Sequence, residues 1–217
     1  MDSTKPIKEN GAAGEPGSIR QLSVPGGRLR IAGMVNDSIV DGEGYRYSIF
    51  TQGCPHECPG CHNPQTHDFQ GGREVEPDKI LRAVLANPLL EGVTFSGGEP
   101  FCQAAVLSGL AAQLHENGLN IWCYSGYTYE QLTGCRQQAV RHLLQQVDVL
   151  VDGPYVEAQR DLTLSFRGSR NQRLIDVPAS LKCGSVVLYQ LEEKTTRKLS
   201  LRKAKQRKKE LLSDLLK

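Results

Sequence analysis

The sequence predicts an α/β fold with a mostly parallel sheet, and three observations lead to this prediction. Short apolar, β-branched runs alternate with segments of helical periodicity. Glycine-rich turns follow directly after two of these runs, as loops do at the carboxyl ends of parallel strands. With 217 residues, the chain is long enough for one domain with its own core.

The predicted elements begin at Leu29, where a strand-like run replaces a segment with few apolar residues. A second strand, Tyr45–Thr51, leads into a cysteine-rich loop. The elements expected after it are a helix from Pro77 to about Asn87, a buried strand from Gly92 to Ser96, a helix from Gln103 to Asn117, a strand from Asn120 to Tyr124, a helix around Gln137 to Gln146, and a strand from Val147 to Val151.

Composition divides the chain into three segments. Residues 1–28 are rich in Gly, Pro, Ser and charged residues, so we expect a flexible, disordered extension. Residues 29–193 should form the domain, and residues 194–217 a basic tail that is helical. That tail carries a charge of +8 against −6 for the rest, although the net charge is only +2. The lack of aromatic residues in the tail argues against a nucleic-acid contact and favours either a solvated face or docking onto an acidic partner protein.

The sequence gives no sign of a membrane protein. No apolar run approaches the roughly 20 residues needed to cross a bilayer. The N-terminus also lacks the basic and apolar blocks of an export signal. We therefore expect a cytoplasmic protein without a membrane partner, in a compartment where thiols stay reduced.

Three cysteines, Cys54, Cys58 and Cys61, lie within eight residues in the segment Cys-Pro-His-Glu-Cys-Pro-Gly-Cys. Iron–sulfur clusters are normally held by four thiolates. Three thiolates in one turn therefore predict a [4Fe-4S] cluster whose fourth iron takes a ligand that is not protein.

Two other uses of these cysteines are open. A structural zinc site takes four ligands, and His62 could complete a set of three cysteines and one histidine. However, His62 directly follows Cys61, and adjacent residues seldom reach one tetrahedral ion without strain. A disulfide framework fits poorly with an odd total of 7 cysteines and no secretory signal.

A second constellation, Gly97-Gly98-Glu99, follows the predicted strand that begins at Gly92. Two glycines let the backbone approach a ligand closely or adopt positive φ, and the glutamate adds an acceptor. By itself the segment is equally consistent with an ordinary strand-to-helix turn. Both it and the cysteine loop are expected at the same edge of the sheet, so they can share one site.

The cysteine spacing, with Gly97-Gly98-Glu99 one βα unit later, resembles the radical S-adenosylmethionine (radical SAM) superfamily. This resemblance implies a partial (βα) barrel in which Cys54, Cys58 and Cys61 hold the cluster. It also implies that Gly97, Gly98 and Glu99 contact the amino group of S-adenosylmethionine. The reduced cluster then cleaves S-adenosylmethionine to methionine and a 5′-deoxyadenosyl radical, so no acid–base pair is expected.

Further segments resemble the glycyl-radical-enzyme activases within that superfamily. Asp41 to Gly44 stands where those proteins show Asp/Asn-Gly-Pro-Gly, with Glu43 in place of proline. Ile121 to Tyr127 is similar to their Trp-x-x-x-Gly-Tyr turn. Asp148 to Tyr155 and Arg167 to Arg173 resemble the closing region of the activating proteins of anaerobic ribonucleotide reductases.

This resemblance covers about residues 29–176 and implies two partners. The substrate would be an anaerobic (class III) ribonucleoside-triphosphate reductase, which receives a glycyl radical, and reduced flavodoxin or a similar donor would supply the electron. It also implies S-adenosylmethionine contacts from Gly60, Cys61 and His62, with adenine stacking shifted from Gly60 to His62. Asp152 either positions the ribose or caps a turn.

Two further functions remain open at this stage. The first is another small radical SAM enzyme, either the activase of a different glycyl-radical enzyme or a protein resembling 7-carboxy-7-deazaguanine synthase. The second is a zinc-stabilised binding module that uses the basic tail to hold a partner or RNA.

Overall fold

The computed structural model describes residues 18–191 as one α/β unit. Its seven strands form one sheet in the order β3-β1-β2-β4-β5-β6-β7. The strands are β1 Leu29–Ser38, β2 Arg46–Thr51, β3 Arg73–Val75, β4 Gly92–Gly97, β5 Asn120–Tyr124, β6 Val149–Asp152 and β7 Arg173–Asp176; the helices are α1 Pro77–Leu85, α2 Ala104–Glu116, α3 Tyr129–Thr133, α4 Gln138–Gln145 and α5 Val177–Cys183.

The sheet is mixed, which corrects the prediction of a mostly parallel one. Strands β2, β4, β5 and β6 pair in parallel, as the alternation of strands and helices predicted. Strands β1 and β3 at one edge and β7 at the other run antiparallel. The parallel strands bring their carboxyl ends to one edge, where the cysteine loop and the Gly97-Gly98 turn both begin.

The helices begin and end where the sequence supplies suitable residues. Helix α1 starts at Pro77, whose fixed φ suits the first helical position. Helix α3 begins with a capping box between Thr128 and Gln131. Asp176 caps α5 by accepting from the backbone amide of Ala179 at 2.9 Å.

The main core lies between the helices and one face of the sheet. It joins Leu107 and Leu110 of α2 to Phe95 of β4 and Ile121 of β5, all of them fully or almost fully buried. A smaller cluster lies on the opposite face and contains Trp122, Val149, Val151 and Leu174, with Tyr124 packed against it. Successive residues of β5 therefore alternate between the two faces, as strand geometry requires.

Part of the segment predicted to be a flexible extension packs against the domain. Ile19 is buried, and its backbone amide donates to Oε1 of Gln137 at 2.9 Å. The Leu22 amide donates to the carbonyl of Cys102, and the guanidinium of Arg20 lies over the ring of Phe69. Residues 18–28 thus contact the domain, whereas residues 1–17 and the basic tail 194–217 lie outside the described residues.

Within residues 18–191, no helix has both the length and the apolar character to cross a bilayer.

Candidate functional site

A cavity of about 510 Å³ opens at the carboxyl ends of the parallel strands. Its wall combines loops that are distant in sequence. The cysteine loop contributes Cys54, Cys58 and Cys61, the turn after β4 contributes Gly97 and Gly98, and the segment after β6 contributes Tyr155, Phe166 and Arg167. The structure therefore brings the two predicted constellations to one site.

Backbone hydrogen bonds hold the cysteine loop in place. The Gly53 amide donates to the carbonyl of Thr66 at 2.8 Å, and the Cys54 amide donates to that of His67 at 3.1 Å. Within the loop, the Cys61 amide donates to the carbonyl of Cys58 at 3.1 Å. These bonds join the start of the loop to the segment that follows it and close a turn between Cys58 and Cys61, so backbone contacts help to position the three thiols.

The three thiols have the chemistry of metal ligands. All three are free, half-buried and exposed to the same cavity. Burial raises the pKa of Cys54 to about 11. Burial also raises the pKa of Cys58, although a hydrogen bond from the backbone of Tyr155 partly offsets this. The protons must leave when metal binds, because only the thiolate is a ligand.

This donor set fits an iron–sulfur cluster. Among residues 18–191, no three His, Cys, Asp or Glu side chains converge on the position of a single ion. A four-iron cluster takes each thiolate on a different iron and needs no such convergence. Cys54, Cys58 and Cys61 are the residues that would hold such a cluster, one iron each.

At the end of β4, Gly97 packs directly against β2, and Gly98 packs against the start of the cysteine loop. Gly97 has a φ of +90°, and a Cβ there would lie 2.7 Å from the Cα of Phe50. A Cβ at Gly98 would lie 2.6 Å from the carbonyl oxygen of Gly53. The Glu99 amide also donates to that Gly53 carbonyl at 2.9 Å. Both glycines are therefore required by backbone contact, and both line the cavity.

Glu99 lies beneath the cavity floor and does not line it. Its buried carboxylate accepts from the amides of Phe101 and Gly126 and from the hydroxyl of Ser125. Nε2 of His56 lies 2.9 Å from Oε2 of the same carboxylate. The predicted contact of Glu99 with a ligand amine remains a prediction, since in this structure both carboxylate oxygens already accept hydrogen bonds from protein groups.

His62 lines the cavity and stacks obliquely on Tyr155, with the ring centroids 4.9 Å apart. Gly60 has a φ of +72° and does not line the cavity, because it faces the carboxylate of Glu157. His62 is therefore in a position to contact a ligand in the cavity, whereas Gly60 lies on the side of the loop that faces away from it. Both ligand assignments remain predictions.

Asp152 joins elements distant in sequence and does not cap the turn that follows β6, as one of its two predicted roles required. The other role, a ribose contact, remains a prediction. It is almost completely buried, and its Oδ2 accepts from the backbone amide of Tyr129 at 2.8 Å. The guanidinium of Arg173 forms an ion pair with the same carboxylate and also reaches Glu130 at 2.8 Å. Asp152 therefore joins β6 to α3 and β7.

Three features near the cavity could not be predicted from the sequence. These are the His56–Glu99 pair, the packing of Tyr155 on His62, and the position of Arg167 on the cavity wall. The two ring and ion-pair contacts join residues more than 40 positions apart in the sequence. The position of Arg167 depends on how the long loop between β6 and β7 folds, so no local spacing of residues indicates any of the three. Arg167 belongs to the segment Arg167 to Arg173, whose resemblance to known proteins does not show which of its side chains line the cavity.

Comparison with known proteins agrees with the geometry of the site. Residues 40–175 match the family model described as a 4Fe-4S single cluster domain. A single-cluster iron–sulfur domain on an α/β scaffold is therefore the class that the fold and the cysteine loop define. This match favours an iron–sulfur cluster over the zinc alternative.

More specific relatives carry the name anaerobic ribonucleoside-triphosphate reductase-activating protein. The chain is 36% identical over 143 residues to the protein of that name from Salmonella typhi, covering 62% of this chain and 90% of the relative. The Haemophilus influenzae protein is 33% identical over 144 residues, with 62% and 89% covered, and the Escherichia coli protein is 33% identical over 142 residues, with 62% and 90% covered. The chain belongs to the family of anaerobic ribonucleoside-triphosphate reductase-activating proteins.

Proposed function

We propose that this protein is a radical SAM activase that generates a glycyl radical on an anaerobic ribonucleoside-triphosphate reductase. One observation carries the proposal: the three free thiols and the Gly97-Gly98 turn line the same cavity at the carboxyl ends of parallel strands. The names of the relatives supply the target enzyme. The four parallel strands and their helices are consistent with a partial barrel of the radical SAM type.

In this proposal, a bound [4Fe-4S] cluster and S-adenosylmethionine together supply the radical that removes a Cα hydrogen from a glycine of the reductase. The chain supplies the placement. Cys54, Cys58 and Cys61 would hold the cluster in the cavity, and Gly97 and Gly98 keep the neighbouring part of the wall free of side chains. His62, supported by Tyr155, offers an aromatic surface for the adenine.

The cavity must also protect a reactive species. Phe50, Tyr124 and Phe166 give it apolar walls, which limit access of water and of other hydrogen donors. Reduced flavodoxin or a similar protein is the proposed electron donor, and the cytoplasm is the proposed compartment. We propose Glu99 as a contact for the S-adenosylmethionine amine once His56 moves away.

Electron paramagnetic resonance tests the proposal directly. Anaerobically reconstituted protein, a chemical reductant, S-adenosylmethionine and the anaerobic reductase are expected to give a glycyl-radical doublet. Omission of S-adenosylmethionine, or the Cys58→Ala variant, should remove the signal. If S-adenosylmethionine is cleaved while no doublet forms, the partner is wrong and the radical SAM assignment stands. If no cleavage occurs with a full cluster, the radical SAM assignment is wrong.

A further inference from the structure

The three arginines of the Arg167 to Arg173 segment differ in their partners. Nε of Arg170 lies 2.9 Å from Asp161, and Arg173 is paired with both Asp152 and Glu130. Arg167 forms no ion pair with any Asp or Glu of residues 18–191. Its NH1 donates to the carbonyl of Gln172 at 3.3 Å, and its Nε is buried without an acceptor. One cation of the segment is therefore left without an anion.

Arg167 is also the arginine of that segment that lines the cavity. Its neighbour Gly168 is packed tightly, since a Cβ there would lie 3.0 Å from the Tyr155 ring and 3.2 Å from His62. The Gly168 amide donates to Oε1 of Gln172 at 2.9 Å. These contacts fix the backbone beside the cysteine loop, so Arg167 presents its side chain to the cavity from a rigid support.

Arg46 shows that this fold can satisfy an arginine without any ligand. It is fully buried, and its guanidinium donates to the Thr94 hydroxyl, the Asn120 side chain and the carbonyls of Glu43 and Val93. Arg167 has one such bond. Arg167 is partly buried, and its Nε is buried without an acceptor. Because a buried donor without a partner is unfavourable, an anionic group in the cavity would complete its hydrogen bonding.

We propose that Arg167 binds the carboxylate of the methionine moiety of S-adenosylmethionine. This inference rests on the proposed function, which supplies the ligand. The carboxylate is the one anionic group of that ligand, and the planar guanidinium matches a carboxylate with two parallel hydrogen bonds. Arg167 is thus a binding residue that orients the amino-acid end of the ligand relative to the cysteine loop.

The test measures binding and not turnover. Anaerobically reconstituted, unreduced protein is titrated calorimetrically with S-adenosylmethionine and with its decarboxylated analogue. Arg167→Gln should weaken binding of S-adenosylmethionine by about 10- to 100-fold, the range for a hydrogen bond to a charged group. The same substitution should leave the affinity for the decarboxylated analogue unchanged within about twofold, because the group that Arg167 recognises is missing.

Two variants serve as controls. Arg167→Lys keeps the charge and loses the planar fork, so it should lose less affinity than Arg167→Gln. Arg170→Gln removes a cation from the same segment outside the cavity and should bind both ligands as wild type does. Iron content and thermal midpoint are measured for each variant, and Arg167→Lys keeps the test decisive if Arg167→Gln folds poorly.

The outcomes separate the inference from the proposed function. Equal binding of S-adenosylmethionine by wild type and Arg167→Gln would overturn the inference alone. An equal loss for both ligands would also overturn it, since that result indicates a general change of the cavity. Wild-type protein that holds its cluster and binds neither ligand would overturn the proposed function and the inference with it.

Discussion

The two faces of the sheet are built from alternate residues of the same strands, yet they differ in what covers them. On the helix side, Phe95, Ile121 and Cys123 are completely buried in one apolar core. On the other side, Ser96 and Tyr124 line the cavity. One face therefore carries most of the stability, and the other positions the groups for chemistry. Substitutions on the two faces should have separable effects.

The largest expected effect is the loss of the cluster from the cavity face. Cys58→Ala removes one of three thiolates, so the variant should keep its fold and lose nearly all of the about four irons per chain of the reconstituted protein. Iron analysis and the absorbance near 400 nm would measure this. Cys183→Ala is the matched control, because Cys183 is exposed at the end of α5 and should leave the iron content unchanged. Full iron in Cys58→Ala would contradict the assignment of the ligands.

The second effect concerns stability on the helix face. Leu107 of α2 is completely buried, so Leu107→Ala should lower the free energy of unfolding by about 2–5 kcal/mol. Urea unfolding would measure the change. Leu162 is 81% exposed at the cavity rim, and Leu162→Ala should change stability by less than about 0.5 kcal/mol. Similar losses for both variants would remove the contrast between the helix-side core and the cavity rim.

Two glycines, one at the cavity and one on a helix, should differ in how an added methyl group changes stability. Gly97→Ala places a Cβ against the Phe50 backbone at a φ of +90°, so it should cost stability by at least about 1–2 kcal/mol and lower the iron content. Gly109 lies exposed in α2 with open space around its Cα, and Gly109→Ala should raise stability by about 0.5–1 kcal/mol. Thermal unfolding would show whether Gly97→Ala lowers and Gly109→Ala raises the stability of the protein. A stabilising Gly97→Ala would show that the turn tolerates a side chain.

The smallest effect should come from the ion pair between Arg173 and Glu130. The hydrogen bond from Arg173 lowers the pKa of Glu130 from 4.5 to about 2. A lowered carboxyl pKa stabilises the fold above its unfolded value, and the gain disappears as the pH falls from about 4.5 to about 2. Because the pair is partly exposed, Glu130→Gln should cost less than about 1 kcal/mol at pH 7.

Urea unfolding of the wild type and Glu130→Gln at several pH values would follow this difference. The two proteins should become equally stable at the acid end. A difference that grows as the pH falls would mean that another group is responsible.

The local patterns predicted most of the scaffold. Helix α2 was expected from Gln103 to Asn117 and spans Ala104–Glu116, and β5 has the predicted bounds. These elements were recognisable because their periodicity and stop signals are local. The mixed sheet was not predicted, since β7 is a four-residue strand whose antiparallel pairing with β6 depends on the long loop between them.

The site was predictable to a similar extent. The cysteine spacing and the Gly-Gly turn identified two walls of the cavity, because each is a contiguous motif. Glu99 shows why the other parts of the site could not be predicted from the sequence. The motif marks it as an acceptor, and only the packing of His56 and Ser125 around it reveals that its oxygens already have donors. Long-range side-chain pairing of this kind leaves no trace in the spacing of residues.

The backbone contact between Gly53 and Gly98 limits how this site could be transplanted. A graft of only the segment from Cys54 to Cys61 onto another α/β scaffold would omit the turn after β4. In that turn Gly98 leaves no room for a Cβ, and the Glu99 amide donates to the Gly53 carbonyl. The graft would have to include both strand ends, with β2 and β4 as parallel neighbours. The smallest portable unit of this site is therefore a pair of adjacent strands with their loops.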